Sequence, residues 1–184
     1  MHMAQPRVWT LDDLDRLPDD GNKYELLRGE LFVTPPPEPD HETAIARLNR
    51  ILVPFVERQG LGLVFSGHPV IRTTDSHVEP DLIVRQPPAR KSRWESAPVP
   101  ILVIEALSPS TRRRDRGRKR EFYVDEVRVP DYWIVDTDER SITVIRPGSA
   151  DLEVRDLFEW SPPGVGATLE VNLDDVFGPM EENA

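Results

Sequence analysis

Thirteen residues, Val99–Thr111 (VPILVIEALSPST), constrain this chain more than any other stretch. Ile101, Leu102, Val103 and Ile104 form an unbroken apolar run rich in β-branched side chains, bounded by Pro100 and Pro109. Such a run predicts a strand covered on both faces, in the middle of a sheet. Glu105 continues it. A carboxylate in a strand buried on both faces is costly unless a cation pairs with it or it ligates a metal. The next segment supplies cations: seven of the nine residues from Arg112 to Arg120 are Lys or Arg. A helix through that segment swings Lys119 back over Glu105.

The 184 residues suit one domain, 1–184, with about 1–9 and 179–184 as flexible tails. The absence of cysteine excludes disulfides, zinc–thiolate sites and cysteine nucleophiles. No apolar run approaches the roughly 18 residues of a membrane helix. The N-terminus lacks a basic-then-apolar signal pattern, so the expected location is the cytoplasm, with no membrane partner. A net charge of −10 argues against a general nucleic-acid binder. Its distribution is uneven: residues 85–120 hold eleven Lys and Arg against three acids, a local +8, which leaves −18 for the rest. That segment reads either as a solvated helix face or as a basic rim beside an acidic pocket.

Before it, Thr10 and Asp13 have capping-box spacing for a short helix reaching about Leu17. Tyr24–Arg28 and Glu30–Thr34 flank Gly29 as a predicted hairpin. From His41 to Arg58, Ala44, Ile45, Leu48, Ile51, Leu52 and Phe55 recur at helical spacing, with Asp40 as the expected N-cap and Arg47, Asn49 and Arg50 opposite. His41 falls on the apolar side. Leu63–Thr74, with breaks at Gly67 and Pro69, and Val78–Arg85, carrying Asp81, read as strands. Gln86–Pro98 is a polar, Pro-rich loop. Asp115–Val127 is the second main helix, with Phe122, Tyr123 and Val127 inward and Lys119 on the same face. Tyr132–Asp136, Ser141–Arg146, Leu152–Trp160 and Thr168–Asn172 complete the strands, and Val176 and Phe177 dock the tail.

Strand period places Asp81 with Ile83, and Glu105 with Ile101 and Val103. If these strands are neighbours, the two carboxylates converge. Together with the carbonyl of Ala106 they make an all-oxygen site suited to Mg²⁺ or Mn²⁺. A nearby lysine can hold an attacking water or offset phosphate charge. Ser108 as a nucleophile lacks the flanking glycine elbow such a role needs.

Pro80-Asp81, then Glu105, then a lysine resembles the PD-(D/E)xK nuclease superfamily. Within it the chain resembles the Uma-type endonuclease branch, through Tyr24-Glu25-Leu26, Gly29-Glu30, His41, Pro80-Asp81, Glu105-Ala106-Leu107-Ser108-Pro109-Ser110-Thr111, Asp115, Lys119, Tyr132-Trp133 and Val135-Asp136. The match covers about residues 10–146. It departs from the superfamily pattern two residues after Glu105, where Leu107 stands instead of lysine. The resemblance implies a mixed α/β fold, with a central mixed β-sheet flanked by helices, restriction-endonuclease-like, and often a homodimer. It implies Mg²⁺- or Mn²⁺-dependent cleavage of nucleic acid, with DNA expected. Asp81 and Glu105 would be metal ligands, and Lys119 the water-orienting or charge-stabilising group. Glu30 is a candidate third acid, Glu25 a weaker one, and His41 a further catalytic candidate.

Arg112, Arg113, Arg114, Arg116 and Arg118 are candidate phosphate contacts. Phosphate contacts position without specifying sequence, so base preference would come from the Gln86–Pro98 loop or from Arg47 and Arg50. The alternative is a non-catalytic module binding nucleic acid or protein on the same scaffold.

Overall fold

The apolar run around Glu105 forms strand β7 (Leu102–Ala106), which lies inside a six-stranded sheet. From edge to edge the sheet contains β10 (Leu152–Val154), β9 (Ser141–Ile145), β8 (Asp131–Asp136), β7, β6 (Leu82–Arg85) and β3 (Leu63–Ser66). Only β7 and β8 are parallel; every other pairing in this sheet is antiparallel. The computed structural model describes residues 7–108 and 115–178. Arg112, Arg113 and Arg114 therefore lie outside the described residues, as do 1–6 and 179–184 of the expected tails. Of the remaining N-terminal residues, Trp9 donates its N–H to the Gly29 carbonyl at 2.8 Å.

Period-two alternation sorts the sheet's side chains into two cores. Leu82, Val84, Leu102, Ile104, Trp133, Val135, Ile142 and Val144 face one way, under α2 (Pro39–Arg58), α4 (Leu173–Phe177) and the ribbon of β11 (Leu157–Trp160) and β12 (Leu169–Asn172). Ile83, Val103, Tyr132, Ile134 and Ile145 face the other way. There they meet α3, built of two wide turns, Asp115–Lys119 and Phe122–Glu126, in which the Val127 N–H reaches the Phe122 carbonyl five residues back. They also meet a second sheet ordered β2 (Glu30–Thr34), β1 (Lys23–Leu27), β5 (His77–Val78) and β4 (Ile71–Arg72).

Helix α2 buries Ala44, Ile45, Leu48, Leu52, Phe55 and Val56. At about 1.5–3 kcal/mol for each of the larger side chains, this burial exceeds the ~3 kcal/mol an internal proline costs, and the helix runs through Pro54. It begins earlier than the expected cap at Asp40. Pro39 is its first residue, where the missing N–H costs nothing, and Glu38 precedes it without a side-chain cap bond. The first helix, α1 (Leu11–Leu14), has the predicted Thr10–Asp13 capping box but ends short of Leu17.

The predicted strand Val78–Arg85 is two strands in different sheets, β5 and β6, with Pro80 and Asp81 in the gap. Leu152–Trp160 likewise divides between two sheets, as β10 and β11. Gly62, at φ +109°, lies against Arg85: a Cβ there would stand 2.2 Å from the Arg85 carbonyl oxygen. Glycine is what permits the chain to enter β3 so close to β6.

Candidate active site

Asp81 follows a proline that cannot donate to a strand ladder, so pairing stops there and its side chain takes over. Its Oδ2 accepts the N–H of Ala106, at the end of β7, at 2.8 Å. His41 Nε2, from the first turn of α2, donates to the same oxygen at 3.1 Å. Lys23 Nζ, from β1, donates to Oδ1 at 3.2 Å and to the Glu79 carbonyl at 2.9 Å. Burial resists a charge on Asp81, but Lys23, His41 and Lys119 outweigh it and hold the carboxyl well below the usual carboxylate range. Burial also works against a charge on His41. The hydrogen bond and charge of Asp81, with Glu42 beside it, overcome this and raise the imidazole pKa.

Glu105 belongs to a second, deeper group. Its Oε1 accepts from Lys119 Nζ and from the Tyr123 hydroxyl, each at 2.7 Å. Lys119 Nζ also lies 2.9 Å from Glu25 Oε1 and 3.8 Å from Asp115 Oδ1. Glu25 in turn accepts the Glu79 N–H at 2.9 Å. One buried ammonium thus joins carboxylates from β1, β7 and its own helix. Burial pushes the Glu105 pKa up, Lys119 draws it down, and Asp81 and Asp115 push it up again, to about 7. Burial, and then the charge of Glu105, keeps the Tyr123 hydroxyl well above its ordinary pKa, so it stays a donor.

The two groups share a cleft of about 870 Å³ lined by Lys23, His41, Glu79, Asp81, Glu105 and Ala106 among others. Lys119, 1% exposed, is bonded to Glu105 and does not line the cleft, whereas Lys23 does. Glu30 is elsewhere: it is exposed at the hairpin end of β2 and pairs with Arg118. Arg116 pairs with Asp136 at 3.2 Å. Arg47 donates to the Val176 carbonyl and holds α4, and Asn49 borders the cleft.

Sequence reasoning passed over Lys23 and ranked Glu25 below Glu30. A signal for Glu25 existed: it interrupts the apolar run of Tyr24, Leu26 and Leu27 just as Glu105 interrupts its own. Period two then puts Lys23 on the same strand face.

Among the described residues, no three carboxylate or imidazole groups stand close enough to close around a metal as arranged. The chemistry of the donors nevertheless suits a hard divalent cation. Both carboxylates border the cleft, Ala106 at the end of β7 borders it beside them, and Asp81 raises the Glu105 pKa by a like-charge repulsion that such an ion would relieve.

Residues 11–174 match the family described as "Uma2: Putative restriction endonuclease". The chain belongs to the Uma2 family. The matched span includes every residue of the two groups around Asp81 and Glu105. An uncharacterized protein of Synechocystis sp. is 26% identical to this Uma2 chain over 114 residues, 61% of this chain. The chain spans about 60% of the length of that curated relative. Its fold is similar to the crystal structure of a "putative nuclease belonging to DUF820" from Anabaena variabilis, with a TM-score of 0.75 and 19% identity, over 91% of this chain and 97% of that one. The mixed α/β class expected for the Uma2 chain is the observed one.

Proposed function

We propose that this Uma2 chain is a metal-dependent endonuclease that hydrolyses phosphodiester bonds, with DNA as its substrate. The observation that carries the reading is the meeting of Asp81 and Glu105 at one cleft, with Lys119 held on Glu105. Mg²⁺ or Mn²⁺ would be held by Asp81, Glu105 and the Ala106 carbonyl. Bound there, such an ion supplies a lowered pKa for a water and a counter-charge for phosphoryl oxygens.

The chain's own groups have separable tasks in this reading. Lys119 fixes Glu105 and favours its ionised form. Lys23 lines the cleft, where its ammonium meets the charge of a substrate phosphate. His41 orients the second oxygen of Asp81 and stores a proton beside it. Arg112, Arg113, Arg114, Arg116 and Arg118 are the proposed phosphate contacts. The Arg118–Glu30 pair is exposed, and at about 0–1 kcal/mol a surface pair is easily exchanged for a phosphate. In a homodimer two such faces would address the two strands of a duplex.

One observation favours the alternative of a binding module on the same scaffold. Both oxygens of Asp81 already accept donors, from Lys23, His41 and Ala106. The test is cleavage of supercoiled plasmid and of a branched oligonucleotide with Mg²⁺ or Mn²⁺, with Glu105→Ala as control. Nicking by the wild type and not by the variant is expected. Intact substrates with folded, metal-saturated wild type would leave the binding-module reading in its place.

A further inference from the structure

The positive charges on the described part of α3 are not free. Arg116, Arg118 and Arg120 are each paired with an acid: Asp136, Glu30 and Asp151. The loop after β6 differs. Arg90, Lys91 and Arg93 are exposed, and none makes an ion pair with another described residue. Trp94 follows them at the start of a single tight turn, Trp94–Ser96, and is 39% exposed. The turn is tied down by the Ser96 N–H and hydroxyl on the Arg93 carbonyl, and by Glu95 beside Arg72 at 3.1 Å.

Beneath Trp94 lies Arg85, the last residue of β6. Its guanidinium carbon is 4.8 Å from the Trp94 ring centroid and 5.5 Å from that of Phe65. The side chain is buried, and among the described residues only its Nη1 finds an acceptor, the Val70 carbonyl at 3.2 Å. Among the described residues, Nε and Nη2 are buried without a hydrogen-bond partner, and no carboxylate offsets the charge. A guanidinium under an indole holds the ring by a cation–π contact and leaves the ring's outer side for another partner. Three unpaired cations beside a fixed, exposed aromatic ring are the elements that bind single-stranded nucleic acid: charges that follow the backbone and a surface on which an unpaired base stacks. A duplex, with its bases already stacked, could use the charges but not the ring.

We propose that the Arg90–Trp94 segment is a binding site for single-stranded nucleic acid, with a base stacked on Trp94 over Arg85 and phosphates on Arg90, Lys91 and Arg93. The inference rests on the nuclease reading and names its substrate class: an end, flap or loop with unpaired bases. Strand rise of about 3.3 Å per residue puts Arg85 some 10 Å along β6 from Leu82, the residue after Asp81. A few nucleotides leaving the cleft can reach Trp94.

The test is fluorescence anisotropy of a labelled twelve-nucleotide oligothymidylate and of a duplex of equal length, in EDTA so that no cleavage occurs. The wild type should bind the single strand more tightly. Trp94→Ala should weaken single-strand binding about tenfold, the loss of one stacked base, and leave duplex binding unchanged. Trp94→Phe, which keeps an aromatic face and guards against a folding defect, should retain most of the affinity. Reversal of charge at Arg90, Lys91 and Arg93 should weaken binding of both probes and flatten the salt dependence. Equal loss on both probes with Trp94→Ala, or no loss on either, would overturn the proposal. Because the assay contains no metal, it is independent of cleavage. A nuclease that ignores Trp94 and a single-strand binder that never cleaves give different results.

Discussion

Lys119 Nζ lies 2.7 Å from Glu105 Oε1, and the same ammonium lies 2.9 Å from Glu25, with all three side chains no more than 2% exposed. The i,i+4 contact with Asp115, at 3.8 Å, is the longest of the three. Lys119 is therefore an organising charge of the interior rather than one end of a helix surface pair.

Removing that charge takes a close cation from three buried carboxylates, Glu25, Glu105 and Asp115. Lys119→Ala should lower stability by about 3–5 kcal/mol, against the ~0.2–0.5 kcal/mol of an exposed helix pair. Urea unfolding measures it. A loss below about 1 kcal/mol would mean that the carboxylates are neutralised by protonation and that Lys119 is dispensable to the fold.

Metal binding should be linked to the Glu105 proton. With its pKa pushed up to about 7, Glu105 must lose a proton to ligate, so affinity for Mn²⁺ should rise with pH through that value. Calorimetry in buffers of different ionisation enthalpy should report proton release. Asp81→Ala should abolish binding; equal binding by wild type and this variant would move the site elsewhere.

Lys23 competes with that ion for Asp81. Lys23→Met should tighten Mn²⁺ binding roughly five- to tenfold, the worth of one partly buried ion pair at about 1 kcal/mol. The same variant should lower cleavage, since the cleft loses that ammonium. Tighter metal with unchanged cleavage would remove Lys23 from the chemistry.

The His41–Asp81 pair sets a pH window for stability. The imidazole pKa is raised above 6.5 in the folded chain, so its contribution is complete below that value and lost as pH rises through the raised pKa. The Asp81 pKa is lowered from 3.8, so its contribution is present above 3.8 and lost as pH falls. Wild type should therefore exceed His41→Asn in stability by more at about pH 5.5 than at about pH 9. Equal differences at both pH values would show that the pair is not charged in the folded chain.

Arg85 is a charge held under Trp94 with no carboxylate partner among the described residues. Arg85→Met, similar in length and able to fill the same space, should raise the melting temperature, by a stability gain of about 1–2 kcal/mol. A fall would show that the cation–π contacts with Trp94 and Phe65 outweigh the burial of the charge.

The strand around Glu105, the inward face of α2 and the inward placement of Lys119 and Tyr123 were all legible in the sequence. The first two follow from a local period of two or 3.6 residues; Lys119 and Tyr123 turn inward as expected, but on wide turns that this period does not describe. The break at Pro80 was less so: the proline is a local signal, but that His77–Val78 joins another sheet is decided by its pairing. The choice between Glu25 and Glu30 was only partly legible: the interrupted apolar run marks Glu25, but the hairpin itself does not separate the two. Both lie on one face of the hairpin, paired across it with Phe32 and Leu27. Glu25 sits where the small sheet covers α3, and Glu30 two positions further, at the solvent end. Lys23 meets Asp81 across 58 residues, a contact fixed by the packing of two sheets. Local sequence determined which side chains turn inward, because backbone geometry dictates their direction. Tertiary structure decided which charges meet there, because that depends on how separate sheets are laid against each other.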